Sequence, residues 1–279
     1  MNKFKDLRQR MLAGFIGAFV IIAALVYGEW SYFAVFLAIA LLALWEFYRL
    51  VRLQNYLPIR VLGVIVGGLM FVLSFLIESQ NWNSNYYFAL FPLASLSLVV
   101  KLYKKSDSNP FINIALFYLG ITYVALPFAL MNIIVFHHDY YSYQILLGLL
   151  LIIWASDTGA YFAGTFFGKT KLFSRISPKK SWEGFVGGAV TSMAFAYMIS
   201  NYYTDLLLWE WIIVSIIVVV VGTYGDLVES LFKRSLEIKD SGTTIPGHGG
   251  FLDRFDSLIL SIPFIVVFLK LFNEIWGNT

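Results

Sequence analysis

Long apolar segments, separated by short polar ones, run through most of the chain. A helix needs about 20 mostly apolar residues to cross the roughly 30 Å hydrocarbon core of a membrane. We therefore predict an all-α polytopic membrane protein with about nine transmembrane helices. Their approximate ranges are 12–28, 31–50, 61–78, 86–101, 111–136, 145–167, 184–200, 209–232 and 257–273.

Basic residues predict the orientation of these helices. If the N-terminus is cytoplasmic, the inner segments contain all of the 20 Lys and Arg residues except Lys270, which lies in the last helix. This is the distribution that the positive-inside rule describes. Segment 111–136 is long and contains Pro127, which predicts a kink, but splitting it would move the last two basic loops outside. We keep it as one crossing, so the C-terminus is predicted on the outer side.

The composition agrees with a membrane protein. Of the 279 residues, 59% are hydrophobic and 13% are charged, against about 25% charged in soluble domains. The absence of cysteine excludes a disulfide framework, a thiolate metal site and a catalytic cysteine. A formal net charge of +3 gives no reason to expect a nucleic-acid partner.

The chain shows no internal repeat and no long polar linker, so we predict one membrane domain over residues 1–279. Residues 1–143 read mainly as scaffold helices. The two longest inner loops, 168–183 and 233–256, lie in residues 144–279, which we take as the catalytic half.

Acidic residues inside predicted helices are the first chemical signal. Asp157 lies within the sixth helix, and Asp226 and Glu229 lie near the cytoplasmic end of the eighth. A carboxylate in a membrane is expensive unless it faces a wet cavity, a cation or a partner. A structural ion pair with a loop lysine is the simpler alternative. The spacing of Asp226, Glu229, Ser230 and Lys233 predicts one polar stripe along a helix that leads into loop 233–256.

The cytoplasmic loops combine two kinds of charged group. Aspartates are hard oxygen ligands that bind Mg²⁺ together with phosphates, whereas lysine and arginine bind phosphate directly. The aspartates are Asp226, Asp253 and Asp256, and the cations are Lys179, Lys180, Lys233, Arg234, Lys239 and Arg254. Both kinds together predict phosphoryl or nucleotidyl transfer. The segment GTFFGKT, residues 164–170, is one residue too short for a P-loop and follows no predicted strand.

A longer signature covers the same region. From Ser230 to Asp256 the chain reads SLFKRSLEIKDSGTTIPGHGGFLDRFD. This segment resembles the signature of the phosphatidate cytidylyltransferases, also called CDP-diacylglycerol synthases. The segments SDTGAYFAG, with Asp157, and SPKKSWEG, with Lys179 and Lys180, are also similar to that family. The signature positions filled here are Ser230, Lys233, Arg234, Lys239, Asp240, Gly242, Pro246, His248, Gly249, Gly250, Asp253, Arg254 and Asp256.

The resemblance implies that CTP and phosphatidate react to give CDP-diacylglycerol and pyrophosphate at the cytoplasmic face of a bacterial plasma membrane. On this hypothesis Mg²⁺ is held on the CTP phosphates by Asp226, Asp253 and Asp256, and a second, monovalent cation is left open. Further catalytic residues are Lys233, Arg234, Lys239, His248 and Arg254. Substrate-binding residues are Ser230, Asp240, Gly249, Gly250, Lys179, Lys180 and Asp157.

Three points stay open at this level. His248 could orient a phosphate or a carboxylate, or could act in acid–base chemistry. A homodimer is one option for the oligomeric state. Two other functions remain as alternatives: a CTP-dependent polyprenol kinase, which would transfer the γ-phosphate to a lipid alcohol, and a cation- or proton-coupled transporter.

Overall fold

The computed structural model describes residues 3–238, 241–242 and 249–276, with side chains from residue 12 to residue 272 within those ranges. The described part is almost entirely helical. Its helices are α1 (Lys3–Tyr27), α2 (Glu29–Arg52), α3 (Arg60–Gln80), α4 (Leu90–Tyr103), α5 (Pro110–Gly120), α6 (Leu126–Val135), α7 (Gln144–Phe167), α8 (Trp182–Ser200), α9 (Leu208–Ile217), α10 (Thr223–Ser235) and α11 (Leu252–Trp276). Two short strands, β1 (Lys171–Phe173) and β2 (Ser177–Ser181), lie between α7 and α8.

Three irregular turns join or extend these helices. A 3₁₀ turn, Ser84–Ala89, leads into α4. Two π-helical turns, Ile121–Ala125 and Val218–Gly222, join α5 to α6 and α9 to α10. The described helices therefore form nine continuous stretches, one at each predicted transmembrane position.

Seven stretches in the described part are long and apolar enough to cross a membrane. They are Glu29–Arg52, Arg60–Gln80, Ser84–Tyr103, Pro110–Val135, Gln144–Phe167, Leu208–Ser235 and Leu252–Phe272. The apolar part of α1 is shorter, Leu12–Tyr27, and glycines, hydroxyl side chains and Glu183 lower the hydropathy of α8. Many large apolar side chains also face outward, as lipid contact requires. The predicted fold class, an all-α polytopic membrane protein, is confirmed.

The fifth stretch remains unbroken despite its proline. Pro127 has no N–H to donate within the helix. The π turn just before it changes the pairing, so that the N–H of Leu126 donates to the carbonyl oxygen of Ile121, five residues earlier. Pro110–Val135 thus passes Pro127 as one helical stretch, in agreement with the prediction of a single crossing.

The first of two compact units comprises Met1–Tyr141 and Leu236–Arg254. Its core is rich in buried aromatic side chains: Tyr32, Phe36, Phe47, Tyr48, Phe71, Phe75, Phe117 and Phe128. The buried tyrosine hydroxyls have partners. Tyr48 donates to the carbonyl oxygen of Phe117 at 2.7 Å, and Tyr32 donates to Oδ1 of Asn132 at 3.0 Å. These bonds connect α2 to α5 and α6.

The second unit comprises Ser142–Ser235 and Phe255–Thr279. Here α7 and α8 pack closely, because a Cβ at Gly159 would overlap Thr191 and one at Gly187 would overlap Ala163. The strands β1 and β2 pair antiparallel. Ser181 ends β2, and its hydroxyl caps α8 by accepting from the N–H of Gly184 at 3.2 Å. The division at residue 143 into scaffold and catalytic half stays a prediction.

Candidate active site

The polar stripe predicted on the eighth stretch is present on α10. Ser230 Oγ donates to Asp226 Oδ1 at 3.3 Å, and Lys233 Nζ donates to Glu229 Oε2 at 2.6 Å. Glu229 is fully buried, whereas Lys233 is partly exposed. The stripe begins just after the π turn Val218–Gly222, an irregularity that is frequent at functional sites.

Three carboxylates of the second unit come together. Asp226 and Glu229 from α10 and Asp256 from α11 each offer an oxygen, and these oxygens lie within 4.8 Å of one another. Gly225 permits the close approach of the two helices. A Cβ at this position would lie 2.6 Å from the carbonyl oxygen of Asp256 and 3.2 Å from Cα of Ser257. Among the described residues, this group could therefore hold a hard cation.

Beside these carboxylates lies a cavity of about 330 Å³, within the usual range for ligand pockets. Its polar wall contains Asp157 from α7, Lys179 and Lys180 from β2, Asp226 and Ser257. Glycine and apolar side chains line much of the remaining wall, including Gly164, Gly184, Gly188, Phe185, Val218 and Val219.

Lys180 links the lysine-rich strand to the carboxylates. Its Nζ lies 2.5 Å from Oδ2 of Asp226 and donates to the carbonyl oxygen of Thr223 at 3.4 Å. This is the loop-lysine ion pair that the sequence left open as an alternative for the acidic residues. Because the pair lies in the cavity wall, it does not exclude a role in binding.

The glycines before α11 are explained by the structure. Gly249 has φ of 83°, a left-handed conformation that favours glycine. A Cβ on Gly250 would overlap side chains that fill the space beside it. Asp253 uses Oδ2 to accept from the N–H of Gly250 and the N–H of Ser241, both at 3.0 Å. Within the first unit, Asp253 thus organises the loop.

Other predicted site residues fall in different places. Arg234 near the end of α10 and Arg254 at the start of α11 are both largely exposed. Lys239, Asp240 and His248 lie outside the described residues, so their roles stay predictions. Glu229 was recognised in the polar stripe but not predicted as a ligand.

Comparison with known proteins defines the class. A model of the cytidylyltransferase family matches residues 8–272. The chain belongs to this family and is a nucleotidyltransferase. Similar proteins include phosphatidate cytidylyltransferases from Haemophilus influenzae, 34% identical over 94% of this chain and 98% of the relative, and from Bacillus subtilis, 34% identical over 96% and 99%. One from Staphylococcus haemolyticus is 32% identical over 94% and 99%.

The comparisons confirm the resemblance to phosphatidate cytidylyltransferases that the signature predicted. They also bear on the class of protein. A nucleotidyltransferase is not a transporter, so that alternative disagrees with the family. The kinase alternative also uses CTP and is left to the acceptor test.

Proposed function

We propose that the protein transfers the cytidylyl group of CTP to phosphatidate. A phosphate oxygen of phosphatidate attacks the α-phosphorus of CTP, the bond from that phosphorus to the β-phosphate bridge breaks, and CDP-diacylglycerol and pyrophosphate form. Phosphatidate is already anionic near neutral pH, so no strong base is needed. The main requirement is to bring two polyanions together and to neutralise the charge of the leaving group.

The observation that carries this proposal is the combination of charges at one cavity. Lys179 and Lys180 supply positive charge for phosphate groups, and Asp226 contributes to a carboxylate cluster at the same wall. A proton relay would need the acids alone, and a lipid-headgroup patch would need the lysines alone. The names of the similar proteins contain phosphatidate and the transferred cytidylyl group, which supports the same reaction.

The residues fit a magnesium ion. Asp226, Glu229 and Asp256 offer three carboxylate oxygens, the ligand type that Mg²⁺ prefers. When bound, the ion would neutralise charge on the phosphates of CTP. Two of the three carboxylates already have cationic partners, Lys180 and Lys233, so the cluster does not leave three unscreened charges side by side.

Each side chain then has a simple task. Lys180 can leave Asp226 for a substrate phosphate, because the pair is partly exposed. Lys179 is more exposed than Lys180 and also lines the cavity. Phe185, Val218 and Val219 give the cavity an apolar side suited to a lipid substrate. The positive-inside pattern supports a cytoplasmic position for these groups, on the side where CTP is available.

The test is an acceptor comparison with purified protein in detergent. CTP and Mg²⁺ are supplied with phosphatidate, diacylglycerol or a polyprenol, and the lipid product and pyrophosphate are measured. Of the three acceptors, we expect only phosphatidate to give a CDP-lipid and an equal amount of pyrophosphate. A phosphorylated polyprenol with release of CDP would contradict the proposal.

A further inference from the structure

A buried carboxylate on α2 holds the loop that leads into α11. Glu46 is only 3% exposed. Its Oε1 accepts from the Ser241 hydroxyl at 2.5 Å and from the N–H of Leu252 at 3.3 Å. Its Oε2 accepts from the N–H of Phe251 at 3.0 Å. A buried anion requires such donors, so these bonds stabilise Glu46 and fix the start of α11 together.

Ser241 connects this carboxylate to a residue of the family signature. Its hydroxyl lies 2.8 Å from Oδ2 of Asp253, and its backbone N–H donates to the same oxygen at 3.0 Å. A serine hydroxyl has one proton and can donate to one carboxylate at a time. Ser241 therefore lies between Glu46 and Asp253 as a shared contact, and the orientation of one carboxylate affects the other.

The backbone around this contact has no spare room. A Cβ on Gly250 would overlap Oε1 of Glu46 and Oγ of Ser241. A Cβ on Gly249 would lie 2.6 Å from Oδ2 of Asp253. The two glycines let the chain wrap around the carboxylates, so the loop geometry and the position of Glu46 depend on each other.

We propose that Glu46 is a positioning residue for nucleotidyl transfer. It fixes the backbone of Phe251 and Leu252, and through Ser241 it sets the orientation of Asp253. The inference rests on the proposed function and on the role in the reaction that the family signature implies for Asp253. Glu46 itself need not contact CTP or phosphatidate.

The variant Glu46→Gln tests this role with little change in size. Glutamine keeps one carbonyl oxygen but places an NH₂ group where the other oxygen accepted a hydrogen bond, so one donor faces another. Glu29→Gln is the matched control, since Glu29 is on the same helix, is partly buried and lies at the opposite end of α2. Ser241→Ala removes the shared hydroxyl and serves as a second variant.

Two measurements are compared. Without substrate or cation, deuterium exchange at Gly250–Leu252 should be faster in Glu46→Gln than in the wild type. In the CDP-lipid assay, kcat should fall by about tenfold or more, the effect expected for hydrogen bonds to a charged group. KM for CTP should change by less than about threefold, because ground-state binding is retained. In the double variant with Ser241→Ala, the fold-decrease in kcat should be smaller than the product of the fold-decreases in the two single variants.

Each result decides the role of Glu46. Faster exchange with unchanged kcat would overturn the proposal and leave a purely structural contact. If Glu46→Gln does not fold, unchanged kcat in folded Ser241→Ala overturns it instead. A wild type that forms no CDP-lipid contradicts the proposed function, whereas an active wild type with unaffected Glu46→Gln turnover contradicts the positioning role alone.

Discussion

Lys180 and Asp226 form an ion pair in the wall of the cavity, with 2.5 Å between Nζ and Oδ2. Their side chains are 27% and 35% exposed. An ion pair with this access to solvent contributes about 0–1 kcal/mol to stability. The protein therefore loses little stability when Lys180 binds a phosphate and Asp226 binds a cation instead. For this reason the pair fits a binding site better than a structural contact.

The first prediction concerns Lys180. We expect Lys180→Met to lower kcat/KM for CTP by about tenfold to a hundredfold, because a charged hydrogen bond to phosphate is lost. The free energy of unfolding should change by less than about 1 kcal/mol. Lys171→Met, on the same hairpin but outside the cavity wall, is the control and should match the wild type. Equal kinetics for both variants would show that Lys180 does not bind substrate.

The second prediction concerns the carboxylate cluster. Asp256→Asn and Glu229→Gln should each raise the Mg²⁺ concentration needed for half-maximal activity by about tenfold or more, since each removes a charged oxygen ligand. Glu210→Gln is a suitable control, because Glu210 lies on α9 and accepts from the backbone N–H of Leu207. Activity should be measured from micromolar to millimolar Mg²⁺.

The same titration tests the ligand role that the resemblance implies for Asp253. Asp253→Asn keeps a carbonyl oxygen that can accept from Gly250 and Ser241. If the turnover of Asp253→Asn falls at low Mg²⁺ and recovers at high Mg²⁺, cation binding by Asp253 is supported. Near-normal turnover at low Mg²⁺ would contradict it and leave Asp253 with its loop contacts.

The third prediction concerns the packing of α10 on α11. Gly225→Ala should destabilise the protein by about 1–3 kcal/mol, because the new methyl group would press on the backbone of α11. Activity should fall by more than the unfolded fraction accounts for, since Asp226 and Asp256 would separate. Gly17→Ala on α1 meets nothing within 4 Å and should leave both unchanged. Thermal unfolding and CDP-lipid formation, measured on the same samples, distinguish the two effects.

The fourth prediction concerns pH and a loop of the first unit. The Asp107 side chain is 1% exposed and forms an ion pair with Lys101. Burial raises the pKa of Asp107, but hydrogen bonds from Lys101, Asn109 and Asn113 and the charge of Lys101 outweigh burial, so the pKa lies below its ordinary value. The carboxylate therefore stabilises the fold above its unfolded pKa, and this contribution is lost as pH falls through the folded pKa.

We expect Asp107→Asn to lower the free energy of unfolding by about 1–3 kcal/mol at pH 7. Between about pH 5 and pH 3 the stability of the wild type should fall more steeply than that of the variant. Asp139→Asn changes an exposed aspartate in another loop and should follow the wild type. Parallel curves for wild type and Asp107→Asn would exclude this contribution.

The sequence predicted the parts of this fold that depend on local composition. Apolar length located the described helical stretches with ends within about five residues, except that α1 begins at Lys3, well before the predicted start at residue 12. The spacing of Asp226, Glu229 and Ser230 predicted one face of α10. The family signature predicts roles for Asp253 and Asp256, because fixed spacing in one continuous segment needs no knowledge of tertiary contacts, and these roles stay predictions.

Tertiary contacts were beyond that reasoning. Ser241 and Glu46 are 195 residues apart, and no local pattern connects them. The criterion that drew attention to Asp157, an acidic residue within a predicted transmembrane helix, also applies to Glu46 in the predicted helix 31–50, so a signal was present. The ion pair of Lys180 with Asp226 depends on the β1–β2 hairpin, which polar loop residues do not predict.

The most direct test of the central claim is the fate of each phosphorus of CTP. Wild-type protein is incubated with phosphatidate and CTP that carries different labels on the α- and γ-phosphates. We predict that the α label enters the lipid, that the γ label appears in pyrophosphate, and that the two products form in equal amounts. Transfer of the γ label to the lipid, or no labelled lipid at all, would contradict the account.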